Sequence, residues 1–232
     1  MTPLVLLPGM MCDARLYGPQ IAALSGRVPI HLAPVTAFDT VQDLAGQVLR
    51  DAPPRFALAG LSMGGIVAME VVRQAPPDRI ARLALLDTNP RAERDDIRQA
   101  RDPQIAAVRA GGLHTIMRDE LKPNYLADGP LRQEVLDMCM TMALDLGPDV
   151  FERQSRALQH RPDQRDTLAS VNVPTLILMG RQDRLCPVER HELMHRLIAG
   201  STFKIIEGAG HLPTLEQPEA VNAAFKTWLD IE

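Results

Sequence analysis

Residues 56–65 read FALAGLSMGG. The run Phe56–Leu61 is continuous and apolar, short enough for a strand buried on both faces. From Gly64 to Gln74 the pattern is helical and stops at Pro76-Pro77. Between strand and helix lies Gly60-Leu61-Ser62-Met63-Gly64, a G-x-S-x-G pattern followed by Gly65. In that setting the pattern describes a sharp strand-to-helix turn that holds a serine in a strained backbone conformation. Side chains two positions to either side would collide with the turn, hence the two glycines. The following helix directs its N-terminus toward the hydroxyl and favours negative charge there. Ser62 is therefore the candidate nucleophile.

On either side the same alternation continues. Leu4–Leu7 is a strand ending at Pro8-Gly9, residues 14–24 a helix, Pro29–Val35 a strand, Thr40–Asp51 an amphipathic helix capped by Thr40, and Ile80–Leu86 a strand ending at Asp87. The alternation then stops. Residues 92–110, 113–121, 130–145 and 148–160 read as helices, punctuated by Gly111-Gly112, Pro123, Gly129-Pro130 and Gly147-Pro148. Strands return at Thr175–Met179 and Thr202–Ile206, with helices at 187–199 and 216–230. The fold class is α/β: a doubly wound, mainly parallel sheet of about six strands, helices on both faces, and an inserted helical lid. Residues 1–90 and 169–232 form the core and 91–168 the lid. Ligands of such sheets sit beyond the strands' carboxyl ends, where strand order reverses. That nominates the loops after the first and third strands.

A serine nucleophile needs a base, and the base an orienting carboxylate, in the chain order Ser, acid, His. Of six histidines, only His211 follows a late strand in a glycine-rich loop, Glu207-Gly208-Ala209-Gly210-His211. Asp183 follows the strand beside the one that leads to His211 and is the favoured acid. Asp87, at the end of the fourth strand, is the rival; its alternative role is to cap the turn before Asn89-Pro90. Two backbone amides would receive the developing oxyanion, from Met63 and from Met10, where Gly9 lets the main chain come close.

These residues together resemble the α/β-hydrolase family, in particular its small lidded esterases and lactonases. The resemblance rests on LVLLPGM (4–10), GLSMGG (60–65), PTLILMGRQDRLCP (174–187) and GAGHLPTLEQPE (208–219). It implies a triad of Ser62, Asp183 and His211, an acyl-enzyme intermediate, no cofactor, and cleavage of a small carboxylic ester, lactone or related acyl bond. Relatives usually carry His-Gly where this chain has Pro8-Gly9, and usually begin with an antiparallel hairpin. An acyltransferase would use the same triad. Dehalogenase chemistry needs a carboxylate at the turn and is excluded by Ser62.

One competing motif is His191-Glu192-Leu193-Met194-His195, which matches the H-E-x-x-H zinc signature. Its third ligand would have to be Glu207 or Glu216, neither on a following helix, and a surface helix explains it without metal. The expected metal content is none. On the substrate side, 11 methionines against 3% aromatic residues suggest an apolar, pliable acyl pocket, with Met11, Met117, Met138 and Met142 as its candidates. His114, Arg118 and Tyr125 could add polar contacts from the lid.

Net charge −4 and pI about 5.9 give no basic footprint for nucleic acid. RAERDDIRQAR (91–101) mixes signs and reads as a solvated helix face. Cys12, Cys139 and Cys186 are widely spaced and odd in number, the pattern of free thiols in a reducing compartment. No run is long enough to span a membrane, and a cytoplasmic enzyme acting on a small molecule is expected.

Overall fold

The apolar runs at 4–7, 56–61, 83–86 and 176–179 have no polar face, so each must be covered on both sides. The computed structural model, which describes Met1–Ile231, satisfies this with one sheet of six parallel strands. In chain order the elements are β1 (Leu4–Leu7), α1 (Gly18–Leu24), β2 (Ile30–Leu32), α2 (Val41–Asp51), β3 (Phe56–Leu61), α3 (Met63–Gln74), β4 (Ile80–Leu86), α4 (Asp95–Ala107), α5 (Leu113–Ile116), α6 (Arg132–Gln159), α7 (Arg165–Ala169), β5 (Thr175–Gly180), α8 (Val188–Leu197), β6 (Thr202–Ile206), α9 (Pro213–Glu216) and α10 (Pro218–Leu229).

The sheet order is β2-β1-β3-β4-β5-β6, so the winding reverses between β1 and β3. The register pairs Leu7 with Gly60, Leu61 with Leu86, Leu86 with Leu178 and Gly180 with Ile206. The carboxyl ends of β1, β3 and β4 thereby lie within a residue of one another, and β5 and β6 run two residues further. Alternate residues serve opposite faces. Leu4 and Leu6 join Phe225 and Trp228 on one side, while Val5 and Leu7 join Val67 and Val71 on the other. A third apolar cluster lies within the helical segment between β4 and β5, built from Met11, Ile105, Val108, Met117 and Phe151. No helix among the described residues is long and apolar enough to cross a membrane.

The expected elements are present with altered ends. β2 is only Ile30–Leu32 rather than 29–35, since Pro34 has no N–H to continue the ladder. The helices expected at 130–145 and 148–160 run together as α6, with a break at Gly147 (φ 80°) ahead of Pro148. The helix expected at 113–121 keeps α geometry only through Ile116 before loosening into a π turn. The last helix is split at Pro218 into α9 and α10.

Candidate active site

The turn after β3 is shaped by contacts that tolerate no side chain. Ser62 has φ 54° and ψ −115° and caps α3. A Cβ on Gly60 would lie 2.3 Å from the Gly64 carbonyl oxygen, one on Gly64 2.1 Å from the Leu7 carbonyl oxygen, and one on Gly65 2.7 Å from Thr88. Two of these obstacles are backbone and cannot swing away. Gly64→Ala is therefore expected to cost more than about 2 kcal/mol of stability, whereas Gly26→Ala, with open space at its Cβ, should shift it by under about 1 kcal/mol. Urea midpoints measure this, and equal values for the two variants would refute the crowding argument. The turn is further tied by Ser62 N–H to the Leu86 carbonyl (2.9 Å) and by the Thr88 hydroxyl to the Ser62 carbonyl (2.7 Å).

Facing the serine is the loop after β6. Its His211 Nε2 lies 2.8 Å from Ser62 Oγ, and its Nδ1 lies 2.9 Å from Asp183 Oδ2. The imidazole is almost wholly buried. The loop is held by Glu216, whose carboxylate accepts from the amides of Ala127 (2.8 Å), Gly210 (2.9 Å) and Leu212 (3.0 Å). The His211 amide donates to the Tyr125 carbonyl at 2.6 Å. Glu216 is thus spent on the main chain that carries the histidine, and is not a spare ligand.

Asp183 sits in the turn after β5, with Oδ1 accepting from the amides of Leu185 (2.8 Å) and Cys186 (3.0 Å). Burial by itself would raise its pKa. The charge and hydrogen bond of His211, together with those two amides, outweigh burial and hold the carboxyl at about 2. The unfolded value is about 3.9. A group whose folded pKa is depressed stabilises the fold above its unfolded pKa. Asp183 should therefore contribute about 2 kcal/mol at neutral pH and lose it as pH falls from about 5 toward 2. Urea denaturation at descending pH measures this. An acid limb identical in Asp183→Asn would rule the contribution out.

Asp87, the rival acid, does not cap the Asn89-Pro90 turn. It is fully buried, and its Oδ1 accepts the Gly180 amide at 2.9 Å. Burial, then the neighbouring Asp183 charge, push its carboxyl well above the usual carboxylate range.

Of the proposed oxyanion donors, Met63 occupies the first position of α3, where no intrahelical acceptor exists. In the loop after β1 the Met11 amide is taken by Gln154 Oε1 (2.8 Å) and the Cys12 amide by the Gly9 carbonyl (3.2 Å). Gly9, Met10 and Met63 all border the same cavity as Ser62 and His211. That cavity measures about 460 Å³ and is walled on its outer side by α4 and by Leu121–Tyr125 of the helical segment.

The methionine expectation fails here. Met11 and Met117 are buried inside the helical segment's own core, Met142 in the core beneath the sheet, and Met138 packs against that core; none lines the cavity. Which face of a helix in the segment 91–168 turns toward the serine depends on docking that the sequence does not display. Tyr125 does line the cavity, while His114 and Arg118 are exposed, Arg118 pairing with Asp119 at 2.5 Å. The residues that sequence reasoning missed are charged: Glu93, Arg101 and Arg161 are drawn into the cavity wall, although residues 91–101 read as a solvated face. Mixed signs within 91–101 allow buried charges to be paired but do not mark which of them turn inward.

The H-E-x-x-H helix is not simply a surface helix. His191 is fully buried, its Nε2 accepting the Thr88 amide at 3.2 Å and its Nδ1 facing the Pro187 carbonyl at 3.4 Å; burial lowers its pKa to about 4. His195 Nδ1 turns instead to the Ser201 hydroxyl (2.8 Å), and Glu192 to Arg196 (3.8 Å). The three side chains serve three different neighbours, which disposes of a shared metal. Among the described residues one other trio, Asp183, Cys186 and His211, clusters closely enough to share an ion. Two of its members already bond each other, and burial keeps the Cys186 thiol protonated, a poor ligand.

Comparison with known proteins places this fold among hydrolases. A thermophilic esterase from Thermogutta terrifontis, solved with malate bound, superposes with a TM-score of 0.90 at 29% identity over 99% of this chain and 90% of its own. The pimeloyl-[acyl-carrier protein] methyl ester esterase of Salmonella newport is 27% identical over 97% of this chain and 92% of that protein. The biotin biosynthesis bifunctional protein BioHC of Cellvibrio japonicus is 24% identical over 98% of this chain, which spans 47% of that longer protein. The family model described as "Alpha/beta hydrolase family" matches residues 4–224. A match that begins with β1 and ends inside α10 takes in every strand and every loop that meets at the cavity, and the chain belongs to the alpha/beta hydrolase family.

Proposed function

We propose that this hydrolase cleaves a small carboxylic ester or lactone through an acyl-enzyme, with Ser62 as nucleophile, His211 as base and Asp183 as its orienting acid. The observation that carries the reading is the single imidazole bonded at 2.8 Å to the serine hydroxyl and at 2.9 Å to a charged, buried carboxylate. With Nδ1–H donated to Asp183, Nε2 is left as an acceptor and takes the Ser62 proton as Oγ attacks the carbonyl. The tetrahedral oxyanion is received by the Met10 and Met63 amides, a pair worth several kcal/mol, about 3 each. Collapse expels the alcohol, which takes the proton from His211. Water, deprotonated by the same imidazole, then releases the acid and restores Ser62. No cofactor enters this cycle.

The esterase names of the relatives support the ester bond as the target. Residues 91–168 act as a cap on a core of 1–90 and 169–232, since α4 and Leu121–Tyr125 wall the cavity. Three buried cysteines without a disulfide support a cytoplasmic setting. Treatment with a fluorophosphonate, followed by intact mass, is the test. One adduct is expected on the wild type and none on Ser62→Ala; equal labelling of both would defeat the assignment.

A further inference from the structure

The wall of the cavity is far more cationic than an apolar acyl pocket requires. Arg94, Arg101, Arg161, Arg184 and Arg190 line it, against Glu93 and Glu120. Arg94 is matched outside by Asp96, and Glu120 is bonded to Gln104 at 2.7 Å. Glu93 is shared: its carboxylate meets Arg101 Nε at 2.9 Å and Arg161 at 2.9 Å, with its side chain only 6% exposed and that of Arg161 only 8%. Two guanidiniums on one buried carboxylate leave a surplus positive charge in a poorly solvated place. The exposed Arg184 and the half-buried Arg190 also line the cavity, have no ion pair among the described residues, and add further positive charge to its wall. The protein as a whole carries −4, so this concentration runs against the overall charge.

Buried like charges repel unless an anion joins them, and a guanidinium offers paired N–H donors that match two oxygens of an oxyanion. We propose that the ester taken by this enzyme carries an oxyanion, a carboxylate or a phosphate, bound beneath the cap by Arg161, Arg184 and Arg190 while its carbonyl lies at Ser62. This rests on the esterase reading above and specifies its substrate class.

The test compares each monomethyl ester of the straight-chain dicarboxylic acids, from succinate to suberate, with the methyl ester of the monocarboxylic acid of equal chain length. A phosphate-terminated methyl ester forms a third arm and tells which oxyanion is preferred. At low salt at least one acidic ester should show kcat/KM about tenfold or more above its neutral partner. That ratio should fall about tenfold in the double variant Arg184→Gln, Arg190→Gln, and should shrink as salt is raised. A ratio at or below one for every acidic ester overturns the proposal, as does a preference that survives the double variant and high salt. Fluorophosphonate labelling of Ser62 and turnover of the neutral esters report separately. If both persist while the acidic preference is missing, the oxyanion proposal falls and the esterase reading stands.

Discussion

Ser62→Ala should abolish turnover of a short p-nitrophenyl ester, lowering kcat on the order of 10^5- to 10^6-fold. Such a loss corresponds to about 7 to 8 kcal/mol of transition-state stabilisation. Among the described residues the hydroxyl makes one hydrogen bond, the 2.8 Å bond to His211, while the turn itself is held through the Ser62 main chain, by the Leu86 carbonyl and the Thr88 hydroxyl. Removing one oxygen therefore leaves the architecture intact, and stability should stay within about 1 kcal/mol of wild type. That separation matters, because a variant that unfolds would lose activity for a trivial reason. The measurement pairs steady-state rates with urea midpoints. Retention of more than about 1% of kcat by a folded Ser62→Ala protein would mean that another group attacks the ester.

The difference between what was legible in the sequence and what was not follows from the range of the interactions. Gly60, Ser62 and Gly64 could be read because the strain that requires them is generated within five residues and the adjoining strand. His211 and Asp183 could be read because parallel strands deliver their loops to one end of a sheet, whatever the details of packing. The cavity wall could not. Glu93 meets Arg161 across 68 positions, and a mixed-sign run gives no sign of which charges turn inward. The methionines of the helical segment failed for the same reason: Met117 is turned into that segment's own core and Met138 and Met142 toward the core beneath the sheet, by packing far away in sequence. His191 illustrates the reverse error, where a local motif suggests a metal but burial against Thr88 decides its role.

Asp183→Asn should lower kcat by about 10^4-fold with little change in KM, a larger loss than removal of a negative charge alone suggests. The reason lies in which way the new amide must point. Oδ1 of Asp183 accepts two backbone amides, from Leu185 and Cys186, at 2.8 and 3.0 Å. Only the carbonyl oxygen of asparagine can stay there, since its NH2 would face two donors. The NH2 is thereby forced to the Oδ2 position, 2.9 Å from His211 Nδ1, where it donates. Nδ1 must then be the acceptor, and the imidazole proton moves to Nε2, the nitrogen that faces the Ser62 hydroxyl. A ring nitrogen that already carries a proton cannot take another, so the histidine is present, correctly placed and in the wrong tautomer. Asp87 is engaged with the Gly180 amide, is not a hydrogen-bond partner of His211 among the described residues, and does nothing to reverse this. Fluorophosphonate labelling of Asp183→Asn should slow in parallel with kcat, while Ser62 remains the residue modified. Ester turnover within tenfold of wild type would show that the orienting carboxylate is some other group, and that the bond between Asp183 and His211 only braces the loop.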